Sequence, residues 1–327
     1  MKTMERKREG LVHIGEAFSD LDGPVKAIRG ATPQALHHFT RFDQVDQLVR
    51  AGEADPDTGF MARLMALCSL PRTNPGDRLQ YKRVNGPYQL YMTAGGGNKL
   101  PFGNLPRLLL AWLCTEAVRT QSRELILGSS LSEFMHKLGV YAQSGGRGGV
   151  RTRLRNQMDR LFHCTVQLIY EDERAKASMT SPVASRTEFW WDPKRPDEQV
   201  LWESKIRLGE DFFNEIVSHP VPLDMNTLKA LSRSPLGLDL YMWLTYRTFS
   251  LQSPLRLSWR QLYRQFGAHP DKSLDKFTVR DFRRNSLREI VKIKTAWPDL
   301  NYSTAKGVLI LSPSKPAIAP TRLQVIK

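Results

Sequence analysis

The sequence predicts an α+β protein in which one succession of helices and strands occurs twice. The first observation is a pair of short apolar helices, opened by Ser130 and Ser258, which lie 128 residues apart. The second is that an arginine-rich helix and two strand-like segments follow each of them. The third is size, because 327 residues with 41% hydrophobic side chains are enough for about two or three domains with ordinary cores.

The segment before the first copy is weakly patterned and then becomes apolar. Residues 1–57 are rich in Gly, Asp and Arg, which predicts a weakly ordered N-terminal arm. The apolar spacing of residues 59–70 favours a helix that ends at Pro71. Residues 72–86 are predicted to be a loop around Asn-Pro-Gly, and residues 88–92 alternate as a strand does.

The first copy begins with a helix predicted over residues 105–119, capped by Asn104 and with Pro106 in its first turn. A short strand over residues 124–127 follows. Ser130 and Glu133 then form the pattern of a capping box, in which the hydroxyl and the carboxylate each accept from the other residue's backbone N–H. Gly139 is predicted to end this helix.

A basic helix is predicted over residues 150–162, after a glycine-rich turn at residues 145–149. Its apolar residues fall on one stripe at helical spacing, while most of the remaining circumference is basic. Strands are predicted over residues 165–170 and 188–191. A further strand over residues 201–208 and a helix over residues 210–217 are predicted to join the two copies.

The second copy repeats this order with a helix over residues 234–250, a strand over residues 255–257 and a capping box of Ser258 and Gln261. The basic helix is predicted over residues 277–294, and strands over residues 301–304 and 308–311 close a hairpin. Its inner stripe is Val279, Phe282, Ser286, Ile290 and Ile293. Arg280, Arg284 and Arg288 share the opposite face at intervals of four residues.

Each copy has the order of a winged helix-turn-helix: helix, strand, short capped helix, basic helix and hairpin. The sequence therefore predicts two tandem winged-helix domains, over residues 58–210 and 211–327. The basic helix of each is expected to enter the major groove of DNA, where arginine pairs with guanine and asparagine with adenine. The candidate DNA-binding residues are Arg147, Arg151, Arg153, Arg155, Asn156, Arg160, Arg280, Arg283, Arg284, Arg288 and Lys292.

Charge and cysteine content agree with an intracellular binding protein. The net charge of +15 favours polyanionic partners. Cys68, Cys114 and Cys164 are far apart and flanked by apolar residues, which predicts buried thiols in a reducing cytosol rather than disulfides or a zinc site. The charged residues 1–10 predict no signal peptide, and no apolar run approaches the ~18 residues of a membrane span.

A catalytic site is not predicted, because each motif that hints at one is incomplete. None of the seven histidines makes the His-apolar-His pattern of a rolling-circle relaxase. Residues 38–41 fit the His-x-x-Arg of tyrosine recombinases but stand too early in the chain. Residues 95–99 are glycine-rich without being a phosphate-binding loop, and are expected to be a hinge. Trp190 and Trp191 could stack single-stranded bases, although core packing is the expected role. No cofactor or metal is predicted.

Longer strings of the chain resemble the RepA-type plasmid replication initiators. The resemblance extends over about residues 59–318 and rests on residues 69–76 (SLPRTNPG), 86–92 (GPYQLYM), 104–112 (NLPRLLLAW), 115–124 (TEAVRTQSRE), 131–134 (LSEF), 189–192 (FWWD) and 234–241 (SPLGLDLY).

This resemblance implies a cytoplasmic bacterial initiator that binds direct repeats in the double-stranded DNA of a plasmid origin. It also implies recruitment of host replication proteins such as a helicase or initiator. Related initiators have two winged-helix domains, act as monomers at the origin, and repress their own promoters as dimers. A transcriptional regulator on the same scaffold is the alternative function, and a DNA-nicking enzyme is a third hypothesis. An initiator is expected to bind direct repeats, whereas a regulator is expected to bind an inverted repeat as a dimer.

Overall fold

The computed structural model describes residues 57–141, 149–173, 176–191, 197–249, 251–269 and 274–318. The helices of these ranges are α1 Arg63–Leu67, α2 Leu105–Thr120, α3 Leu131–Lys137, α4 Val150–Phe162, α5 Glu210–Ser218, α6 Met225–Ala230, α7 Pro235–Phe249, α8 Trp259–Phe266 and α9 Lys276–Ala296. The strands are β1 Thr58–Ala62, β2 Gln80–Asn85, β3 Tyr88–Ala94, β4 Glu124–Gly128, β5 Cys164–Glu171, β6 Lys176–Pro182, β7 Ala184–Glu188, β8 Ser204–Leu208, β9 Pro220–Asp224, β10 Leu255–Ser258, β11 Tyr302–Ala305 and β12 Val308–Leu311. The predicted N-terminal arm lies almost entirely outside the described residues.

The strands form four small antiparallel sheets, so the α+β class is confirmed. Their strand orders are β1-β9, β2-β3-β5-β6, β4-β8-β7 and β10-β12-β11. The buried hydrophobic side chains form one continuous cluster that reaches from β1 to β12.

The segment from α7 to β12 follows the predicted order with boundaries that agree within about two residues. Strand β12 lies between β10 and β11, with Leu311 opposite both Leu255 and Tyr302. Both halves of the Ser258 capping box are present: the hydroxyl accepts from the Gln261 N–H at 3.2 Å, and the Gln261 side chain accepts from the Ser258 N–H at 2.9 Å. Helix α9 then packs against α7 and α8.

The segment from α2 to β7 departs from the second copy in its sheet. Strand β4 pairs with β8, which stands between β4 and β7. The predicted strand over residues 188–191 is wrong beyond Glu188, and β6 and β7 precede it. The physical reason is that Trp191 turns inward, where its indole N–H donates to the Gly128 carbonyl at 3.0 Å and its ring lies 5.6 Å from that of Phe134.

Two predicted caps in this segment differ from the structure. The Ser130 hydroxyl accepts from the Glu133 N–H at 3.1 Å, but the Glu133 carboxylate accepts from the Ser129 N–H at 3.0 Å, so the reciprocal half of the capping box is absent. Asn104 does not cap α2 through its side chain. Its amide donates instead to the Ser232 carbonyl at 2.7 Å and thereby ties the start of α2 to the turn before α7.

Two predictions before α2 are also wrong. Residues 58–62 form a strand rather than the start of a helix, because they pair with β9 and are buried on both faces. Such a strand shows no alternation that could reveal it. Strand β2 occupies part of the predicted loop and pairs with β3. Its residues are mostly exposed or half-buried, so β2 gives no hydrophobic signal either.

The β1–β9 sheet crosses the boundary between the two predicted domains. Helix α1 also packs against α7, and Arg107 of α2 pairs with Asp239 of α7 at 2.7 Å. The division near residue 210 stays a prediction, and these contacts join its two sides within one core.

Candidate nucleic-acid interface

Helix α9 presents a basic face opposite a buried stripe. Phe282, Ser286, Ile290 and Ile293 are buried, as the periodicity predicts. Asp275 caps the helix by accepting from the Thr278 N–H at 2.7 Å. All five candidate residues on this helix are exposed: Arg280, Arg283, Arg284, Arg288 and Lys292.

Some of these cations have acidic neighbours on the same helix. Asp281 lies 3.3 Å from Arg284 and 3.9 Å from Arg280, and Glu289 lies 3.0 Å from Lys292. The two Asp281 pairs are weak, since exposed ion pairs contribute only about 0–1 kcal/mol. Arg283 and Arg288 have no carboxylate partner in the described part of the chain, so both guanidinium groups are available to a ligand.

Helix α4 carries a smaller free basic surface than its composition indicates. Arg153, Arg155 and Asn156 are exposed. Arg151 is half-buried and pairs with Asp197 at 3.1 Å. Arg160 lies over the ring of Phe102 at 5.3 Å and donates to the Leu100 carbonyl at 3.2 Å.

Arg147 lies outside the described residues. On α4, therefore, Arg153, Arg155 and Asn156 are the candidates that the structure leaves free of such internal contacts.

Three arginines that contribute to the net charge are internal. Arg63, Arg83 and Arg107 are at most 2% exposed. Arg63 pairs with Glu215 at 3.4 Å, and Arg107 makes a bidentate pair with Asp239, both N···O distances being 2.7 Å. Sequence reasoning assigned no role to these residues. The signal for two of them was their position inside the apolar runs MARLM and NLPRLLLAW, where a charged residue needs a buried partner.

The carboxyl end of α8 is held by side chains from the segment between α1 and β3. Ser69 donates to the Gln265 carbonyl at 3.0 Å, and Arg72 donates to that of Phe266 at 2.8 Å. Arg83 donates to the carbonyls of Arg264 at 3.1 Å and Gly267 at 3.0 Å. These bonds satisfy carbonyls that a helix end leaves unpaired, and they fix the start of the turn leading to α9.

The remaining sequence candidates fall into three groups. Trp191 is packed inward, whereas Trp190 is 51% exposed, so the two do not form one stacking platform. The three cysteines are free and buried, as predicted, and burial raises each thiol pKa to about 12. The His-x-x-Arg pattern at residues 38–41 lies outside the described residues.

The described ranges contain no group of three or more His, Cys, Asp or Glu side chains placed to hold a metal ion. None of their helices combines the length and the apolar character that crossing a membrane requires.

The middle of the chain matches a known protein family. Residues 100–261 match the family described as "Plasmid encoded RepA protein". The chain belongs to the plasmid-encoded RepA family. The part that matches the RepA family extends from just before α2 into α8, so it contains the first basic helix and ends before the second.

Two solved structures resemble this RepA-family chain over most of its length. One contains domains 2 and 3 of RctB as selenomethionine derivatives, with 15% identity and a TM-score of 0.47 over 76% of this chain and 95% of that chain. The other is a second structure of RctB domains 2–3, with 15% identity and a TM-score of 0.44 over 77% of this chain and 96% of that chain. A search of curated proteins found no match.

Proposed function

We propose that this RepA-family protein initiates plasmid replication by binding repeated origin DNA through two winged-helix units. The observation that carries the proposal is the arrangement of α7, β10, α8, α9 and the β11–β12 hairpin around one exposed basic helix face. In a winged helix, the helix after the turn lies in the major groove and the hairpin lies beside it. The order β10-β12-β11 and the five exposed cations of α9 fit this geometry.

The chemistry of the exposed residues supports base and phosphate recognition. The guanidinium groups of Arg283 and Arg288 are free to pair bidentately with guanine or with phosphate. On α4, Asn156 is exposed and its amide matches the edge of adenine. Two readers lengthen the recognised site, and each mismatched base pair adds about 1–3 kcal/mol of discrimination.

The remaining parts of the proposal come from the family and from composition. The partner is double-stranded DNA with direct repeats at a plasmid origin, and bound protein recruits a host helicase or initiator. A dimeric form represses the protein's own promoter. The protein is cytoplasmic and acts by binding, without catalysis, cofactor or metal.

The test removes three cations from one face of α9. Arg280, Arg284 and Arg288 are replaced together by Ala, and binding to the DNA flanking the gene is measured by footprinting and titration. We expect loss of specific protection, with single changes weakening binding by about 1–3 kcal/mol where a base is read.

The matched control replaces Lys99, Arg186 and Lys205 by Ala, which removes the same charge from residues that pair with carboxylates elsewhere. It should bind almost as the wild type does. Wild-type affinity in a folded α9 triple variant would contradict the proposal. Protection of an inverted repeat by a dimer alone would support a transcriptional regulator instead.

A further inference from the structure

The turn between α6 and α7 carries two cations that belong to neither basic helix. Lys229 lies at the end of α6 and Arg233 lies in the turn, and both are exposed. No carboxylate in the described ranges forms an ion pair with either side chain. Their charges are therefore available to a ligand.

One open groove beside this turn connects it to the first basic helix. The groove has a volume of about 630 Å³ and lies between the α3–α4 region and the end of α6. Its walls include Arg153 of α4, Lys229, Arg233 and the exposed ring of Tyr141. Three free cations thus face one groove, and none of the described residues that line it is an Asp or a Glu.

A second open groove, of about 730 Å³, connects the same turn to the second basic helix. Ser234 and Leu236 form one wall of it, and Arg288 and Lys292 of α9 form another. Glu289 also lines this groove, but its carboxylate is mostly buried and is paired with Lys292 at 3.0 Å. The turn between α6 and α7 therefore stands between α4 on one side and α9 on the other.

The two grooves border the same turn, and their walls together include five cations, which we call the junction band: Arg153, Lys229, Arg233, Arg288 and Lys292. The turn in its middle is held from several sides. Asp224 caps α6 by accepting from the Thr227 N–H at 3.1 Å, and the Ser234 N–H donates to the Leu231 carbonyl at 2.9 Å. The Asn104 amide holds the Ser232 carbonyl from α2.

We propose that Lys229 and Arg233 bind phosphates of duplex DNA between the two stretches that α4 and α9 read. This inference rests on the proposed function, because it requires both helices to engage one duplex. A fixed turn with two free cations suits the phosphate backbone, which presents regularly spaced negative charge and carries no sequence information. The contact therefore adds affinity and fixes the register of the two readers.

The test replaces Lys229 and Arg233 by Ala in the full chain. Dissociation constants are measured over a range of salt concentrations for a duplex with the origin repeat and for an unrelated duplex. Each lost phosphate contact lowers the steepness of the log K against log salt plot by about 1, so the double variant should lose about 2. Binding to both duplexes should weaken by the same factor, with base-specific protection unchanged.

Two further variants make the outcome specific. The Lys229→Arg/Arg233→Lys variant keeps both charges and should retain the wild-type salt dependence. The Lys99→Ala/Lys205→Ala variant removes two charges that pair with Asp77 and Glu124, and it should also behave as the wild type does. An unchanged steepness in the Lys229→Ala/Arg233→Ala variant, beside a wild type that binds the repeat, would overturn this inference alone. A wild type without specific binding would overturn the proposed function as well.

Discussion

The Arg107–Asp239 pair is the contact whose loss should destabilise the protein most clearly. Both side chains are 2% exposed, and two N···O contacts of 2.7 Å join them. The Arg107 guanidinium also donates to the carbonyls of Leu70 at 2.8 Å and Pro71 at 3.2 Å. Replacing Asp239 by Ala would leave this buried cation without its counter-charge.

The expected magnitude follows from the bonds that disappear. Each hydrogen bond to a charged group contributes about 1.5–3 kcal/mol, so two of them give about 3–6 kcal/mol. Breaking a buried pair from one side generally costs about 3–5 kcal/mol, which agrees. At about 1.4 kcal/mol per factor of ten, the ratio of folded to unfolded protein should fall at least a hundredfold.

Urea unfolding followed by circular dichroism would measure this effect. The Arg107→Met/Asp239→Leu double variant is the control, because replacing both charges by apolar groups of similar size is often nearly neutral. We therefore expect strong destabilisation in Asp239→Ala and partial recovery in the double variant, because methionine removes the buried charge but cannot donate to the Leu70 and Pro71 carbonyls. A loss below about 1 kcal/mol in Asp239→Ala would refute the reasoning, since it lies within the range of exposed pairs.

Two further predictions concern ionisable groups in the core. Burial alone would raise the pKa of Glu215, but Arg63 and His219 outweigh it, so the pKa lies below its ordinary value of 4.5. The ionised Glu215 therefore adds stability that is present above pH 4.5 and is lost as the pH falls through the lowered pKa. The Glu215→Gln variant should be less stable than the wild type at pH 7 and should lose less further stability in acid. Equal acid sensitivity of the two proteins in urea titrations would contradict this prediction. Burial raises the thiol pKa of Cys68, Cys114 and Cys164 to about 12, so only about one thiol in 10⁴ is ionised at pH 8. Iodoacetamide should therefore label the three cysteines in the unfolded protein but not in the native one. Rapid labelling of the native protein would contradict the burial of these thiols.

The elements that could be predicted from sequence are those with a complete local signal. Helices α4 and α9 have an apolar stripe at helical spacing, and the observed bounds of α4 are those predicted. The Ser258 capping box combines a local pattern with an apolar helix, and both of its hydrogen bonds form. These features depend on residues close together in the chain.

The elements that could not be predicted depend on partners far along the chain. Strand β8 enters between β4 and β7, where Lys205 stands opposite Ile126, and no local pattern encodes that pairing. Arg83 stands in a mostly exposed strand and yet is 0% exposed. Its partners are carbonyls about 180 residues later, so the sequence shows only another arginine.

The same limit applies to the candidate interface. Composition counts every arginine toward a basic surface, but burial removes Arg63, Arg83 and Arg107 from it. Periodicity assigned Arg151 and Arg160 to the exposed face of α4, whereas neighbouring segments engage both side chains. The spacing of α4 and α9 relative to the α6–α7 turn arises only from packing, so the sequence could not show that Lys229 and Arg233 lie between them.

The contacts at the end of α8 link the placement of α9 to the rest of the chain. Ser69, Arg72 and Arg83 hold the last carbonyls of α8, immediately before the turn that leads to α9. If the chain were divided near residue 210, the C-terminal fragment would lack these three donors, and the β1–β9 sheet would be split between the two fragments. The two basic helices therefore stand on one shared core, and their separation is set by buried contacts rather than by a linker. For the DNA recognition that we propose, such a core favours repeats with one fixed spacing between the stretches that the two helices contact, because any other spacing would strain contacts that the folded protein already makes.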